Sequence, residues 1–379
     1  MGQQVDTGES HIVNSPRILG AKGENMRTRI RTSARFAAVA LAFTLVAAAC
    51  GSDSTASNAS NVSTAPVGTQ GATDGTTAPA PAGTNPAAAG SGAGIKLAVN
   101  PWTGSAVNAS VAKVVLESKL GTPTELVALD ENAAWVGLDS GDLDANLEIW
   151  PSGHAADHKT YIEEKKSVVD LGVLGPHAKI GWYVPSFVID QHPELKTWEG
   201  FKDPTLAKLF ATAESGDQGQ FLMGDPSYVT YDEQIIKNLS LPLKYTVAGS
   251  EAALITAIQA AETDQKPLLL QFWQPHWLQS KVKLTQVELP AVTDACLASA
   301  AAADGNYACD YPVDELYKAA NAGLEAKNKA AFDFLSKFQL TTDQQNAIAA
   351  MVDSDGKTAD EAAQTWVDAN PDVVAAWLA

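Results

Sequence analysis

From Gly51 to Gly94 the chain consists almost wholly of Ser, Thr, Ala, Gly, Asn and Pro. Such a composition cannot bury enough apolar surface to offset the entropy of ordering a backbone. Any folded body must therefore be built from residues 95–379, which suffice for one large domain or two of about 100–200 residues each. Residues 51–94 read as a disordered tether, spanning on the order of 35 Å as a flexible coil.

The tether follows an address. From Met26 come four basic residues, Arg27, Arg29, Arg31 and Arg35, then an apolar stretch from Phe36 to Ala49 that ends at Cys50. This is the order of parts in a signal peptide, and the apolar run is short of the roughly 20 residues a membrane-spanning helix needs. Ala47-Ala48-Ala49-Cys50, followed by Gly51-Ser52-Asp53, resembles the bacterial lipoprotein cleavage box, which makes Cys50 the expected lipidation site. The alternative is ordinary cleavage nearby, with Cys50 incidental. Residues 1–25 have no place in such a signal and read as an extension ahead of a true start at Met26.

A formal charge of −18 argues against a nucleic-acid partner, which needs clustered Lys and Arg. It favours a cationic ligand over an anionic one, although solubility of an exported protein explains it as well. Beyond Cys50 the only cysteines are Cys296 and Cys309. In an oxidising compartment a disulfide between them is expected, since neither has a CxxC partner or a neighbouring His for metal ligation.

Ile95–Val99 reads as a buried strand, followed by a turn at Pro101–Ser105 and a helix with Val107, Val111, Val114, Val115 and Leu120 on one face. A strand over 124–129, a helix over 132–140 and a strand over 144–149 continue the alternation, which implies an α/β fold on a parallel sheet. The stretches 313–323, 325–338, 342–352 and 358–370 read as helices, capped at Thr342 or Asp343 and at Thr358. Ligands of such sheets sit beyond the carboxyl ends of the strands. Four tryptophans, Trp102, Trp150, Trp182 and Trp273, fall at strand ends, whereas Trp135, Trp277, Trp366 and Trp377 read as packing.

Several aromatic faces around one point attract a cation that donates no hydrogen bonds, such as a quaternary ammonium. A metal is not expected: His154 and His158 are four apart but lack a third ligand, and Asp353-Ser354-Asp355-Gly356 lacks the later ligands of a calcium loop. No cofactor motif is present.

The runs Asn100-Pro101-Trp102-Thr103-Gly104, Ala134-Trp135-Val136-Gly137-Leu138-Asp139-Ser140-Gly141-Asp142-Leu143-Asp144 and Glu148-Ile149-Trp150-Pro151 resemble the glycine betaine/choline substrate-binding proteins of ABC importers. The resemblance continues, in order, through Gly181–Pro185, Lys202–Pro204, Gly224–Tyr228 and Phe272–Trp277. It implies a two-lobed, type II periplasmic-binding-protein-like clamshell with two crossovers, with lobe 1 at 95–182 plus 288–379 and lobe 2 at 183–287. It implies an aromatic cage of Trp150, Tyr228 and Trp273 for a trimethylammonium group. His154 and the backbone N–H groups of Val229 and Thr230 would then hold a ligand carboxylate. Trp102 and Trp182 match further cage positions of the choline-binding members. Those members carry an Asp where this chain has Gly104, which tilts the expectation toward glycine betaine, unless Glu148, Asp225 or Asp232 supplies a carboxylate instead.

The resemblance further implies a monomer without enzymatic activity, held by a lipid anchor at the extracellular face of the membrane, that delivers its ligand to an ABC permease and its ATPase subunits. Choline or carnitine is the alternative ligand within the family. The rivals are a binder of an unmethylated amino acid or osmolyte, and an exported hydrolase, for which no GxSxG or HExxH is present.

Overall fold

The computed structural model describes residues 93–302 and 305–379, all within one compact unit. The extension 1–25, the signal peptide 26–50 with Cys50, and the tether up to residue 92 lie outside the described residues.

The body opens as strand and helix in alternation: β1 (Ile95–Val99), α1 (Thr103–Leu120), β2 (Thr124–Ala128), α2 (Glu131–Ser140) and β3 (Ala145–Ile149). The helix α1 buries Val107, Val111, Val115 and Leu116, and ends at Gly121, whose φ of 61° is the left-handed geometry that glycine adopts without strain. Asp130 caps α2 by accepting from the Ala133 N–H. After α3 (Pro151–Asp157) comes β4 (Val168–Pro185), the longest strand.

There follow α4 (Ser186–Gln191), α5 (Pro204–Ala207), β5 (Gly219–Met223), α6 (Asp232–Asn238), β6 (Leu243–Val247), α7 (Glu251–Asp264), β7 (Leu270–Gln274) and β8 (Leu284–Val287). The chain then returns through α8 (Asp294–Ala302) to β9 (Asp314–Asn321). It closes with α9 (Leu324–Lys327), α10 (Lys329–Lys337), α11 (Thr342–Asp353), α12 (Ala359–Ala369) and α13 (Pro371–Leu378).

The sheet is mixed rather than parallel throughout, in the order β2-β1-β3-β9-β4-β7-β5-β6, with β8 also on β4. The pairs β1–β2, β1–β3, β5–β6 and β5–β7 are parallel, while β9 and β4 are antiparallel to their neighbours. β4 joins two halves: its first part pairs with β9, and its last residues lie between β7 and β8. Along it Gly175 has φ of 126°, and a Cβ there would sit 2.2 Å from the Leu340 carbonyl oxygen, so no side chain is tolerated where the C-terminal segment crosses.

One expected helix is a strand. Within 313–323, Asp314–Asn321 form β9, because pairing with β3 on one side and β4 on the other outweighs the helical propensity of its Leu, Lys and Ala. The caps of α11 and α12 are Thr341 and Thr358, each in a capping box, so the first lies one residue before the expected Thr342. Cys296 and Cys309 are disulfide-bonded. Closing a loop of this length stabilises by about 3 kcal/mol in the chain-entropy model.

Candidate functional site

Parallel pairing of β1 with β3 brings their carboxyl ends to one rim, where Trp102 follows β1 and Trp150 directly follows β3. From the other half of the sheet come Trp273 on β7 and Tyr228 in the loop between β5 and α6. These four rings line one cavity of about 380 Å³, completed by Glu131, Ile180, Val229, Thr230 and Gln271. Tyr228 stands edge-on to both Trp102 and Trp273, with centroids 5.8 Å apart in each pair. Its hydroxyl donates to the Pro101 carbonyl at 3.1 Å, tying the two halves together at the site.

Six of the sequence-predicted residues therefore meet in one wall: Trp102, Trp150, Tyr228, Val229, Thr230 and Trp273. Trp182 does not join them. It sits inside β4, covered by β7 and β8, packs on Phe221 with centroids 4.6 Å apart, and donates its indole N–H to Asp232 at 2.7 Å. With a strand on either side and no exposure, this ring belongs to the core. Asp232 is spent there, accepting from the Tyr311 hydroxyl as well, and Asp225 closes a turn with Ser227. Neither faces the cavity.

His154 is buried behind the wall, and its ring nitrogens are both engaged, Nδ1 with Asp157 at 2.8 Å and Nε2 with Glu131 at 3.1 Å. Burial alone would lower its pKa, but the two carboxylates outweigh it and raise the imidazole to about 9. It is an imidazolium between two carboxylates. The second oxygen of Glu131 accepts the Val229 N–H at 3.0 Å. The His154 and Val229 N–H groups expected to receive a ligand carboxylate thus already hold a carboxylate of this chain.

Glu131 was not legible from sequence, since an acid in the first turn of a helix is what the helix dipole favours anyway. On the same wall, Gln271 is buried with its Oε1 unpaired, an acceptor open to a donor on a guest.

Behind Trp102 and Trp150 lies Glu148, fully enclosed. Its Oε1 accepts both indole N–H groups, from Trp102 at 2.7 Å and Trp150 at 3.1 Å. Its Oε2 accepts the Asn108 amide at 2.6 Å and the Gln345 amide at 3.0 Å. Burial pushes the carboxyl up to about 7, the indole hydrogen bonds pull it down, and Glu251 and Glu131 add repulsion. Gly104 makes room for this cluster: a Cβ there would stand 3.1 Å from Glu148 Oε2 and 3.3 Å from both Gln345 Nε2 and Trp102 Cδ1.

Beside it, Glu251, His276 and Asp353 bring ligand-capable atoms within 4.8 Å of one another. Each is already partnered. Glu251 accepts the Thr103 N–H at 2.6 Å and bonds His276 Nε2 at 3.0 Å, while His276 Nδ1 accepts from Leu278 at 3.1 Å. Asp353 accepts from the Thr103 hydroxyl and from the Trp277 indole. The cluster links the N-terminus of α1 to α7 across the halves, and Trp277 takes part in it. Trp135 stacks on Tyr161 in the core, with centroids 5.8 Å apart. His158 pairs instead with Glu163 on the surface.

The family model for the substrate-binding domain of ABC-type glycine betaine transport systems matches residues 93–369. The chain belongs to the OpuAC family. OpuAC proteins bind and hand over solutes for importers, so this chain is the substrate-binding component of an ABC importer and not an enzyme. A trimethylamine N-oxide-binding protein of Pelagibacter ubique is 28% identical over 284 residues, covering 74% of this chain and 88% of that one.

Among solved structures, lactococcal OpuAC closed on glycine betaine superposes with a TM-score of 0.59 at 22% identity, covering 75% of this chain and 99% of that one. A choline-binding protein in complex with choline gives a TM-score of 0.59 at 19% identity, covering 75% and 91%. At these identities they establish the fold: a two-lobed α/β clamshell of type II periplasmic binding proteins. Among the described residues no helix is long and apolar enough to cross a membrane.

Proposed function

We propose that this chain captures a small methylated ammonium compound without a carboxylate, of the choline or trimethylamine N-oxide class, in an aromatic cage of Trp102, Trp150, Tyr228 and Trp273. The observation that carries the reading is Glu131, whose carboxylate lies in the cavity wall and occupies two of the three groups expected to receive a ligand carboxylate, the His154 imidazole and the Val229 N–H. The methylated ammonium group offers no hydrogen-bond donor, and aromatic faces stabilise it by about 2 kcal/mol each when desolvated. A carboxylate on the guest would meet Glu131 instead. Two bare like charges about 4 Å apart repel by roughly 4 kcal/mol at an effective dielectric of 20; the His154 imidazolium offsets part of the Glu131 charge, so the repulsion is smaller than that but still turns the expectation away from glycine betaine.

Supporting the class, a relative 28% identical over most of both chains is named for trimethylamine N-oxide, and a structure of the same fold holds choline. The lobes divide at 95–182 with 288–379 against 183–287, and the guest bridges them, favouring the closed form by its differential affinity. The closed monomer then docks on a permease served by ATPase subunits, with Cys50 lipidated and residues 51–94 as the leash at the extracellular face.

Titration of residues 52–379 by tryptophan fluorescence with choline, trimethylamine N-oxide, carnitine and proline tests the cage. Saturation is expected with choline or trimethylamine N-oxide, together with its loss in Trp150→Ala, and saturation with carnitine alone would contradict the exclusion of a carboxylate. Saturation with proline alone would place the ligand among unmethylated solutes.

A further inference from the structure

Glu148 touches no part of the cavity that a guest of the proposed class would occupy, yet two of the four cage rings are fastened to one of its oxygens. An indole N–H can only donate, so both rings present their hydrogens to a carboxylate and their faces to the guest. Two consequences follow from the chemistry. The shared oxygen fixes the angle between Trp102 and Trp150, since rotation of either ring breaks its bond. A hydrogen bond from the indole to an anion also pushes electron density into the ring, deepening the negative potential over its face.

We propose that Glu148 is a positioning residue that sets the preference of the site for a cation over a neutral molecule of the same shape, acting through the indoles of Trp102 and Trp150. The rest of the pocket is built around this role. Asn108 from α1 and Gln345 from α11 hold the second oxygen, so the carboxylate is fixed from two helices and does not turn away from the indoles. Gly104 leaves the space: a side chain there would press on the Glu148 oxygen, on Gln345 and on the Trp102 ring. The inference rests on the cage reading above.

The test separates charge from shape. In Glu148→Gln the amide oxygen still accepts both indoles, and the amides of Asn108 and Gln345 can turn to offer their oxygens to the new NH2. The probes are choline and 3,3-dimethylbutan-1-ol, which replaces the N-trimethyl cation by a neutral tert-butyl group. Calorimetric titration at pH 8.5, above the Glu148 pKa of about 7 so that the group is a carboxylate, is expected to show about a tenfold loss of choline affinity from the wild-type chain to Glu148→Gln, with the affinity for the neutral alcohol changed less than twofold. In the free protein the indole N–H proton resonances of Trp102 and Trp150 are expected to move upfield together in the variant.

Parallel loss of both probes, or no loss of either, overturns the role assigned to Glu148 while leaving the cage in place. A wild-type chain that binds neither choline nor trimethylamine N-oxide removes the cage reading, and this inference with it.

Discussion

His154 and Glu131 form one buried unit, and its charge state reaches folding as well as binding. The imidazole is held at about 9, above its ordinary 6.5, because Asp157 and Glu131 outweigh the cost of burial. A raised pKa means stability that is fully present below about 6.5 and is lost as pH rises through about 9. The size is on the order of 3 kcal/mol, from the shift at about 1.4 kcal/mol per unit. Urea denaturation at pH 6 and pH 9.5 checks it: the wild-type chain is expected to lose stability over this window by that much more than His154→Gln does. An equal loss in both would mean that the histidine is neutral in the fold. At this scale the sequence was partly readable. A Trp directly after a strand is visible as a rim residue, but Glu131 is hidden because the same acid serves a helix N-terminus, and Trp182 misled because being inside a strand or at its end is decided by pairing partners far away in sequence.

Among the elements, β9 is where local and global signals disagree. Its Leu316, Tyr317, Lys318, Ala319 and Ala320 are all buried, so the two-residue period that announces a half-exposed strand is missing. Lys318 explains how a lysine is tolerated there. Its ammonium donates to the carbonyls of Leu335, Ser336 and Phe338, which end α10 and have no helical partner. Burial lowers its pKa to about 8, so it still carries its charge at pH 7. Lys318→Met keeps the length of the side chain and strips the helix end of all three bonds. A loss of about 3 kcal/mol is expected at pH 7, read as a lower urea midpoint with an unchanged slope. An unchanged midpoint would show that α10 does not need this cap. The helix α12 was legible from its cap, Thr358, which begins a capping box with Glu361 at the third position, whereas α11 was placed with its cap one or two residues late, since Thr341 and not Thr342 or Asp343 begins its box. The antiparallel β9 and the long β4 were not, since nothing local records that one strand serves two halves of a sheet.

In the whole molecule, the site exists only where the two halves meet. Trp102, Trp150 and Glu131 come from the β1–β3 side, while Tyr228, Val229 and Trp273 come from the other. Among the bonds that cross at this place are Tyr228 to Pro101, Val229 to Glu131, and Thr103 to Glu251. Two of these three end on a glutamate of the chain itself, and one of them, Glu131, stands in the cavity wall, so the site holds a carboxylate before any guest arrives. That arrangement suits a cation and opposes an anion, in keeping with the net charge of −18. The most direct check is a calorimetric comparison of choline, trimethylamine N-oxide and glycine betaine on the same wild-type preparation at pH 7. The account predicts that choline or trimethylamine N-oxide binds at least about tenfold more tightly than glycine betaine, given the repulsion at Glu131. Glycine betaine binding as tightly as either, or more tightly, would contradict it and would mean that the ligand's own carboxylate displaces Glu131 from His154 and Val229.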